Sequence, residues 1–366
     1  MAPDRQVTLS ARIPVAVLGA TGSVGQRFVA LLHGHPWFEL TAVAASERSA
    51  GKRYRDAVRW MQSSPLPRAI ADLEVVNAGT PSGVALVFSA LDADVAGPIE
   101  ETWARAGALV VSNAKSHRYD ADVPLVVPEV NGDHLALVRE QRYGRGAIIT
   151  NPNCSTIGLT LALKPLADAF GLSRIHVVTL QAISGAGLPG VPSYEILDNV
   201  VPFISGEEEK IQRETRKILG RLDGNRVQDA EIVVSAQCNR VPVVDGHTEC
   251  VSIELGRRAS LEEVRDVLAD FTAEPQALGL PSAPERPVHL HAAEAHPQPR
   301  LHRDLDRGMA TSVGRLRPCE ILDYKFVLLS HNTIRGAAGG ALLAAELAIA
   351  RGLLAEHPAS SVVAAR

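Results

Sequence analysis

The feature that most constrains this chain lies near its start. Ile13–Leu18 (IPVAVL) is a short, apolar, β-branched run, as expected of a strand buried on both faces of a parallel sheet. GATGSVG follows at once at 19–25, and residues 26–33 then place Phe28, Val29, Leu31 and Leu32 on one helical face. Strand, glycine turn and helix in direct succession open a dinucleotide-binding unit. Gly19, Gly22 and Gly25 are spaced by three, unlike the GxGxxG of NAD-linked proteins. Such glycines let the backbone approach a pyrophosphate, which rests on free N–H groups at the helix start.

The rest of the first half repeats the theme. Strand-like runs at 39–45, 85–88, 108–111, 125–127 and 147–149 alternate with helical stretches such as 95–106, which predicts a doubly wound parallel sheet. Beyond residue 154 the texture changes. A helix at 155–169 leads into a long β-branched strand at 175–183, and a charged amphipathic helix covers 207–219. Strands at 231–236, 248–255 and 321–329 then follow with few helices between them, which predicts a mainly antiparallel sheet with one face free for a dimer contact. The expected class is α/β: a Rossmann-like doubly wound domain over 1–153, and an α+β catalytic and dimerisation domain over 154–332. An Ala- and Gly-rich helix near 333–352 is expected to return to the first domain.

The end of the second strand bears on the choice of nucleotide. NAD-linked proteins place an acidic residue there to hold the ribose 2′-OH. Here Glu47 is flanked by Ser46, Arg48, Ser49 and Lys52, hydroxyls and cations that suit a 2′-phosphate. NADP is therefore the expected cofactor.

There are four cysteines, Cys154, Cys238, Cys250 and Cys319, with no CxxC pair and hence no zinc or disulfide framework. Cys238, Cys250 and Cys319 read as small buried apolar residues. Cys154 differs. It lies in the polar turn NPNCS at 151–155, after a strand and before a helix, where the helix dipole and free N–H groups favour a thiolate. A thiolate nucleophile needs a proton manager, and among twelve histidines His247 lies at a turn leading into a strand. QAISGAG at 181–187, GEEEK at 206–210 and SNAKSHR at 112–118 add a glycine turn, an acidic helix start and a group of cations. Residues 273–299 are rich in Pro and His and read as irregular, with His289, His291 and His296 as loop histidines whose spacing supports no metal.

Charge is balanced, with 37 basic and 41 acidic side chains, so no field points to nucleic acid. No apolar run nears the ~20 residues that span a bilayer. Residues 1–10 lack the build of a secretory leader, and a cytoplasmic protein is expected.

Taken together, GATGSVGQRF, SERSAGKRY, VFSALD, SNAKSHR, VPEVN, NPNCST, QAISGAG, GEEEK, RVPVVDGH, GMATSVGR and SHNTIRGAAGG resemble the aspartate-β-semialdehyde dehydrogenase family, nearest its archaeal and fungal branch, over about 14–350. The resemblance implies NADPH-dependent, reversible reduction of aspartyl phosphate to the semialdehyde through a cysteine thioester. That step belongs to lysine, threonine, methionine and isoleucine synthesis, and the assembly would be a homodimer or homotetramer. It implies Cys154 as nucleophile, His247 as acid/base and Gln181 as orienting residue beside Asn153. Arg240 would hold the substrate carboxylate, Glu207 the ammonium group, and Arg118 and Lys210 the phosphate, with Glu208 and Glu209 left open as alternatives to Glu207. Cofactor contacts would fall on Gly19, Thr21, Gly22, Ser23, Val24, Ser46, Arg48, Ser49, Lys52, Ser89, Gly187 and Asn332. Related reductases of malonyl-CoA or N-acetylglutamyl phosphate share the cysteine logic, and an NADP-binding redox regulator without turnover is the non-enzymatic alternative.

Overall fold

The computed structural model describes residues 7–354 and 362–364; residues 1–6 of the polar start lie outside them. Six parallel strands form the first sheet, in the order Val75–Asn77, Phe38–Ala45, Ile13–Leu18, Leu86–Ser89, Leu109–Ser112, Ala147–Thr150. The order reverses between Ile13–Leu18 and Leu86–Ser89, and a ligand crevice opens at the carboxyl ends of such a pair. Gly19 lies there with φ +71°, and a Cβ on it would come within 2.5 Å of the Ala90 carbonyl oxygen. Only glycine fits that left-handed, crowded position. The helix Ser23–Leu32 begins directly after Gly22, three residues earlier than the apolar pattern places it. The expected strand at 125–127 reduces to a single bridge, Leu125 to Thr150, because Pro124 and Pro128 bracket it and offer no N–H. Val75–Asn77 was not foreseen: three residues are too few to show a period.

The second sheet runs Val233–Arg240, Leu172–Gln181, His247–Leu255, Tyr324–Ser330, Thr311–Pro318, Val288–His291. Its three inner pairings are antiparallel and its two outer pairings are parallel, so the sheet is mixed. Each outer pair is joined by a crossover, through the helix Glu207–Ile218 on one side and the short helix Pro299–His302 on the other. Residues 273–299 are thus less irregular than their Pro and His content suggests, since they hold the edge strand Val288–His291.

Helices Cys154–Phe170, Glu207–Ile218 and Leu261–Ala269 cover one face of this sheet, around a core that includes Leu159, Leu163, Ile175, Val177, Ile211, Val264 and Phe326. On the opposite face His176, Val233, Gln237 and Cys250 stay exposed. Beside them, Tyr194, Leu197, Val200 and Phe203 present large apolar side chains to solvent, Tyr194 at 98% exposure. Cys250 is therefore not the buried apolar residue expected from composition, and Cys319 is only half-buried; Cys238 is buried.

The C-terminal helix Gly339–Ala350 is buried from Gly339 to Ile349 and packs into the core of the first sheet. One π turn, Ile334–Ala338, precedes it, so the terminal helix is two segments rather than one. The turn buries Arg335 in a bidentate pair with Glu129 and sets Gly336 against Cys154, where an added Cβ would lie 2.7 Å from the cysteine Cβ. Among the described residues no helix is long and apolar enough to cross a membrane.

Candidate active site

Cys154 is the first residue of its helix. Asn153 caps that helix: its side-chain oxygen accepts from the N–H groups of Ser155 (3.0 Å) and Thr156 (3.3 Å). The same side chain donates through Nδ2 to both oxygens of Glu207, at 3.0 and 2.9 Å. One residue thus ties the cysteine helix to the helix Glu207–Ile218.

His247 Nε2 lies 3.1 Å from Cys154 Sγ. Its Nδ1 accepts the backbone N–H of Ala182 at 3.0 Å. A backbone amide can only donate, so the neutral ring carries its proton on Nε2 and directs it at the sulfur. A second proton would have to sit on Nδ1, facing that N–H. Burial, then the neighbouring Arg240 and His331, pull the His247 pKa down to about 3. The ring is a neutral donor.

The cysteine corrects the expectation of a lowered pKa. Burial and then the Glu207 carboxylate push the thiol up to about 12, against the opposing pull of Arg118, Arg240 and the Ser155 N–H. The helix start is present, but it is outweighed by the loss of water.

The sulfur opens on a cleft of about 320 Å³ lined by Ser23, Asn113, Lys115, Arg118, Asn153, Glu207, Lys210, Asn332 and Thr333, among others. Arg118 donates to Glu214 (2.8 Å) and to the Asn113 carbonyl (2.9 Å), which leaves its Nε without a partner. Glu214 also accepts the N–H of Asn153 at 2.6 Å. Lys210 Nζ donates to Glu207 at 3.0 Å. Of the three glutamates left open, Glu207 alone lines the cleft; Glu208 accepts the Cys238 N–H and Glu209 is exposed. Arg240 and Gln181 are buried behind the cleft wall, Arg240 donating to the Ala182 carbonyl (2.8 Å) and Gln181 to Thr179 Oγ1 (3.3 Å). Gly185 passes between, and a Cβ there would lie 2.9 Å from Arg240 Nη1 and 3.2 Å from the His247 ring.

A second cleft of about 470 Å³ continues from this one through Leu91 and Asp92, which line both. It holds Gly19, Thr21, Gly22, Ser46, Glu47 and Arg48, while Ser23, Val24, Gly187 and Asn332 line the first. Asn332 is fixed from both ends, donating to Ser184 Oγ (2.8 Å) and accepting the Gly246 N–H (2.8 Å). The glycine turn, the helix start after Gly22 and the cation at Arg48 fit a phosphorylated dinucleotide laid along both clefts. Three expected contacts fall elsewhere. Ser49 and Lys52 are outside both linings, and Ser89 is fully buried with its hydroxyl donated to Glu100 at 2.6 Å.

Residue-level reading missed Asn113, Lys115, Ser184, Thr333 and Glu214. Lys115 lay within the cationic segment already noted. Glu214 could have been found seven residues after Glu207, two turns along the same helical face.

Residues 14–138 match the family model described as "Semialdehyde dehydrogenase, NAD binding domain", and 163–335 match "Semialdehyde dehydrogenase, dimerisation domain". The aspartate-semialdehyde dehydrogenase of Methanothermobacter thermautotrophicus is 52% identical over 343 residues, covering 92% of this chain and 98% of that one. The chain belongs to the aspartate-semialdehyde dehydrogenase family. The Schizosaccharomyces pombe member is 50% identical over 353 residues, covering 93% of this chain and 99% of its own. Among solved structures, the Candida albicans aspartate-semialdehyde dehydrogenase with NADP superposes with a TM-score of 0.87 at 46% identity, covering 94% of this chain and 100% of that one. The Vibrio cholerae aspartate-semialdehyde dehydrogenase II complexed with ASA gives 0.75 at 30%, covering 93% and 99%. The two-domain α/β architecture expected of the family is the one observed, with the second sheet antiparallel in its three inner pairings and parallel only at its two edges.

Proposed function

We propose that this chain reduces L-aspartyl-4-phosphate to L-aspartate-4-semialdehyde and phosphate, reversibly and with NADPH, through a thioester on Cys154. The observation that carries the reading is the Cys154–His247 contact of 3.1 Å, opening on a cleft that holds both an acid and cations and runs into a dinucleotide groove. Arg118, Lys115 and Lys210 offer the phosphate end of the substrate its counter-charge, and Glu207 offers a carboxylate to the ammonium group. Arg240 is the cation for the α-carboxylate, and Gln181 stands behind the acyl position. Glu207 has no use for malonyl-CoA, which carries no ammonium group.

The proton inventory follows from the ring tautomer. The Cys154 sulfur attacks the acyl carbon, the C–OP bond breaks, and the thiol proton leaves with phosphate. NADPH, when bound along the two clefts, would supply the hydride that the thioester carbonyl takes up. The His247 Nε2–H hydrogen-bonds first to sulfur and then to the oxyanion formed on the acyl carbon, as an electrophile that stays neutral. That oxyanion collapses, the C–S bond breaks, and the semialdehyde leaves with Cys154 as thiolate, which regains a proton from solvent. An ammonium group on Glu207 cancels a charge that holds the thiol pKa up, so substrate binding itself favours ionisation.

The free sheet face with Tyr194, Leu197, Val200 and Phe203 is the surface through which a homodimer or homotetramer would assemble. The experiment for the activity is NADP+ reduction by aspartate semialdehyde, with and without phosphate. Phosphate-dependent reduction is expected. Its absence, or equal rates with malonate semialdehyde and coenzyme A, would overturn the substrate assignment.

A further inference from the structure

Chain folding gathers three histidines that the linear spacing keeps apart. His291 ends the edge strand Val288–His291, His296 lies in the loop beyond it, and His302 closes the short helix Pro299–His302. One ring nitrogen from each falls within 4.8 Å of the others. The His302 ring centroid lies 4.5 Å from that of His291 and 4.4 Å from that of His296. His289, which looked like a member of the group, is not: its Nε2 pairs with Asp306 at 2.8 Å.

The surroundings set which nitrogen each ring can offer. His291 Nε2 meets Ser312 Oγ at 3.0 Å, which leaves Nδ1 free. His302 Nδ1 sits against both backbone groups of Gln298, accepting its N–H at 3.0 Å and lying 3.1 Å from its carbonyl oxygen, so with Nε2 on a metal the remaining N–H must turn from the amide to that carbonyl. Metal-bound histidines characteristically donate their second N–H to such an oxygen. Among the described residues no hydrogen bond engages the His296 ring. The loop bearing His296 is pressed onto the sheet at Gly314, where a Cβ would lie 2.3 Å from the His296 carbonyl oxygen. Gly314 is also the register partner of His291, so two of the three ligands share one anchor.

We propose that His291, His296 and His302 form a structural site for a zinc-class transition metal. Three neutral imidazoles suit Zn2+, whose Zn–N bonds of about 2.0–2.1 Å in tetrahedral geometry put ligand nitrogens about 3.3 Å apart. Half-exposed side chains reach that spacing by closing roughly 1.5 Å through torsion changes. Ca2+ and Mg2+ require oxygen ligands and do not fit. A water takes the fourth position. The site bears on the family's chemistry through its helix. A Cβ on Gly246 would lie 3.3 Å from Arg303 Cβ and 3.4 Å from Pro299 Cβ, and Arg303 donates to the Asp245 carbonyl at 3.2 Å. The metal therefore staples the 292–303 segment beneath the turn that delivers His247.

The test uses the full chain, stripped with chelator and then loaded with Zn2+ or Co2+. Wild type and Cys154→Ala are each expected to retain one Zn2+ per chain after desalting, with a raised Tm. The Co2+ form should lack a thiolate charge-transfer band. His291→Gln and His302→Gln should weaken Zn2+ binding on the order of 100-fold and remove the Tm rise. Their metal-free turnover should match that of metal-free wild type, which establishes that they fold. Retention of zinc by the histidine variants, loss of zinc in Cys154→Ala, a thiolate band, or no metal retained by wild type would each overturn the assignment.

Discussion

Gly336→Ala tests whether the π turn sets the position of the nucleophile. The added Cβ would lie 2.7 Å from Cys154 Cβ and 3.0 Å from its Cα. Carbon atoms rest at about 3.5 Å or more, so the pair must separate by roughly 0.8 Å. The turn cannot retreat easily. It is tied through Arg335 to buried Glu129, and the following helix is buried along nearly its whole length. Cys154 must therefore give way, and its sulfur leaves the 3.1 Å contact with His247. A misplacement near 1 Å at a reacting centre costs on the order of 100-fold in rate. Overpacking of this kind also lowers stability by about 1–3 kcal/mol. Steady-state kinetics should show kcat down about 100-fold with little change in NADPH affinity measured by fluorescence, and urea unfolding should show the lost stability. Wild-type kcat in a variant that keeps its stability would refute the reasoning.

Glu249 is fully buried, neither carboxylate oxygen has a hydrogen-bond partner, and burial raises its pKa well above the usual range. The folded state then holds a proton that the unfolded chain releases above about pH 4.5, so this group's stabilising contribution fades as pH rises through the raised value, by up to about 1.4 kcal/mol per unit. Glu249→Gln should remove that slope and gain stability relative to wild type between pH 5 and 7.5 in urea unfolding; parallel pH profiles would count against a neutral Glu249. Glu207→Gln removes a charge that holds the Cys154 thiol up. Thiol alkylation should then shift to lower pH while KM for the semialdehyde rises, and an unmoved alkylation profile would deny Glu207 that influence. Arg240→Lys keeps the charge but loses the planar fork, so KM should rise at least 10-fold with a smaller change in kcat; unchanged KM would remove it from substrate binding.

The first domain was legible because its signals are local. A buried strand, a glycine turn and a helix lie within 20 residues, and parallel strands announce themselves as apolar runs. Cys154 was legible for the same reason, since its polar turn and helix start are contiguous. What sequence could not give came from packing. Ser89 looks like a hydroxyl facing a nucleotide, yet it is spent on Glu100, eleven residues away. The thiol pKa was misjudged because the dipole is visible in sequence whereas burial and the approach of Glu207 are not. Thr311–Pro318, which joins the edge strand to the sheet, shows in the sequence only as part of the GMATSVGR motif, because its mixture of Gly, Arg and Pro hides an alternating pattern. The His291, His296 and His302 cluster, spread over three elements, has no linear signature at all.

The central claim is a covalent acyl group on Cys154. Mixing the protein with aspartate semialdehyde and NADP+ in the absence of phosphate isolates it, because the acyl group then has no acceptor. The account predicts one equivalent of NADPH per active site, and an aspartyl thioester located on Cys154 by mass spectrometry of quenched peptides and released by phosphate or hydroxylamine. Full burst formation in Cys154→Ser, or an acyl group found on another residue, would contradict it.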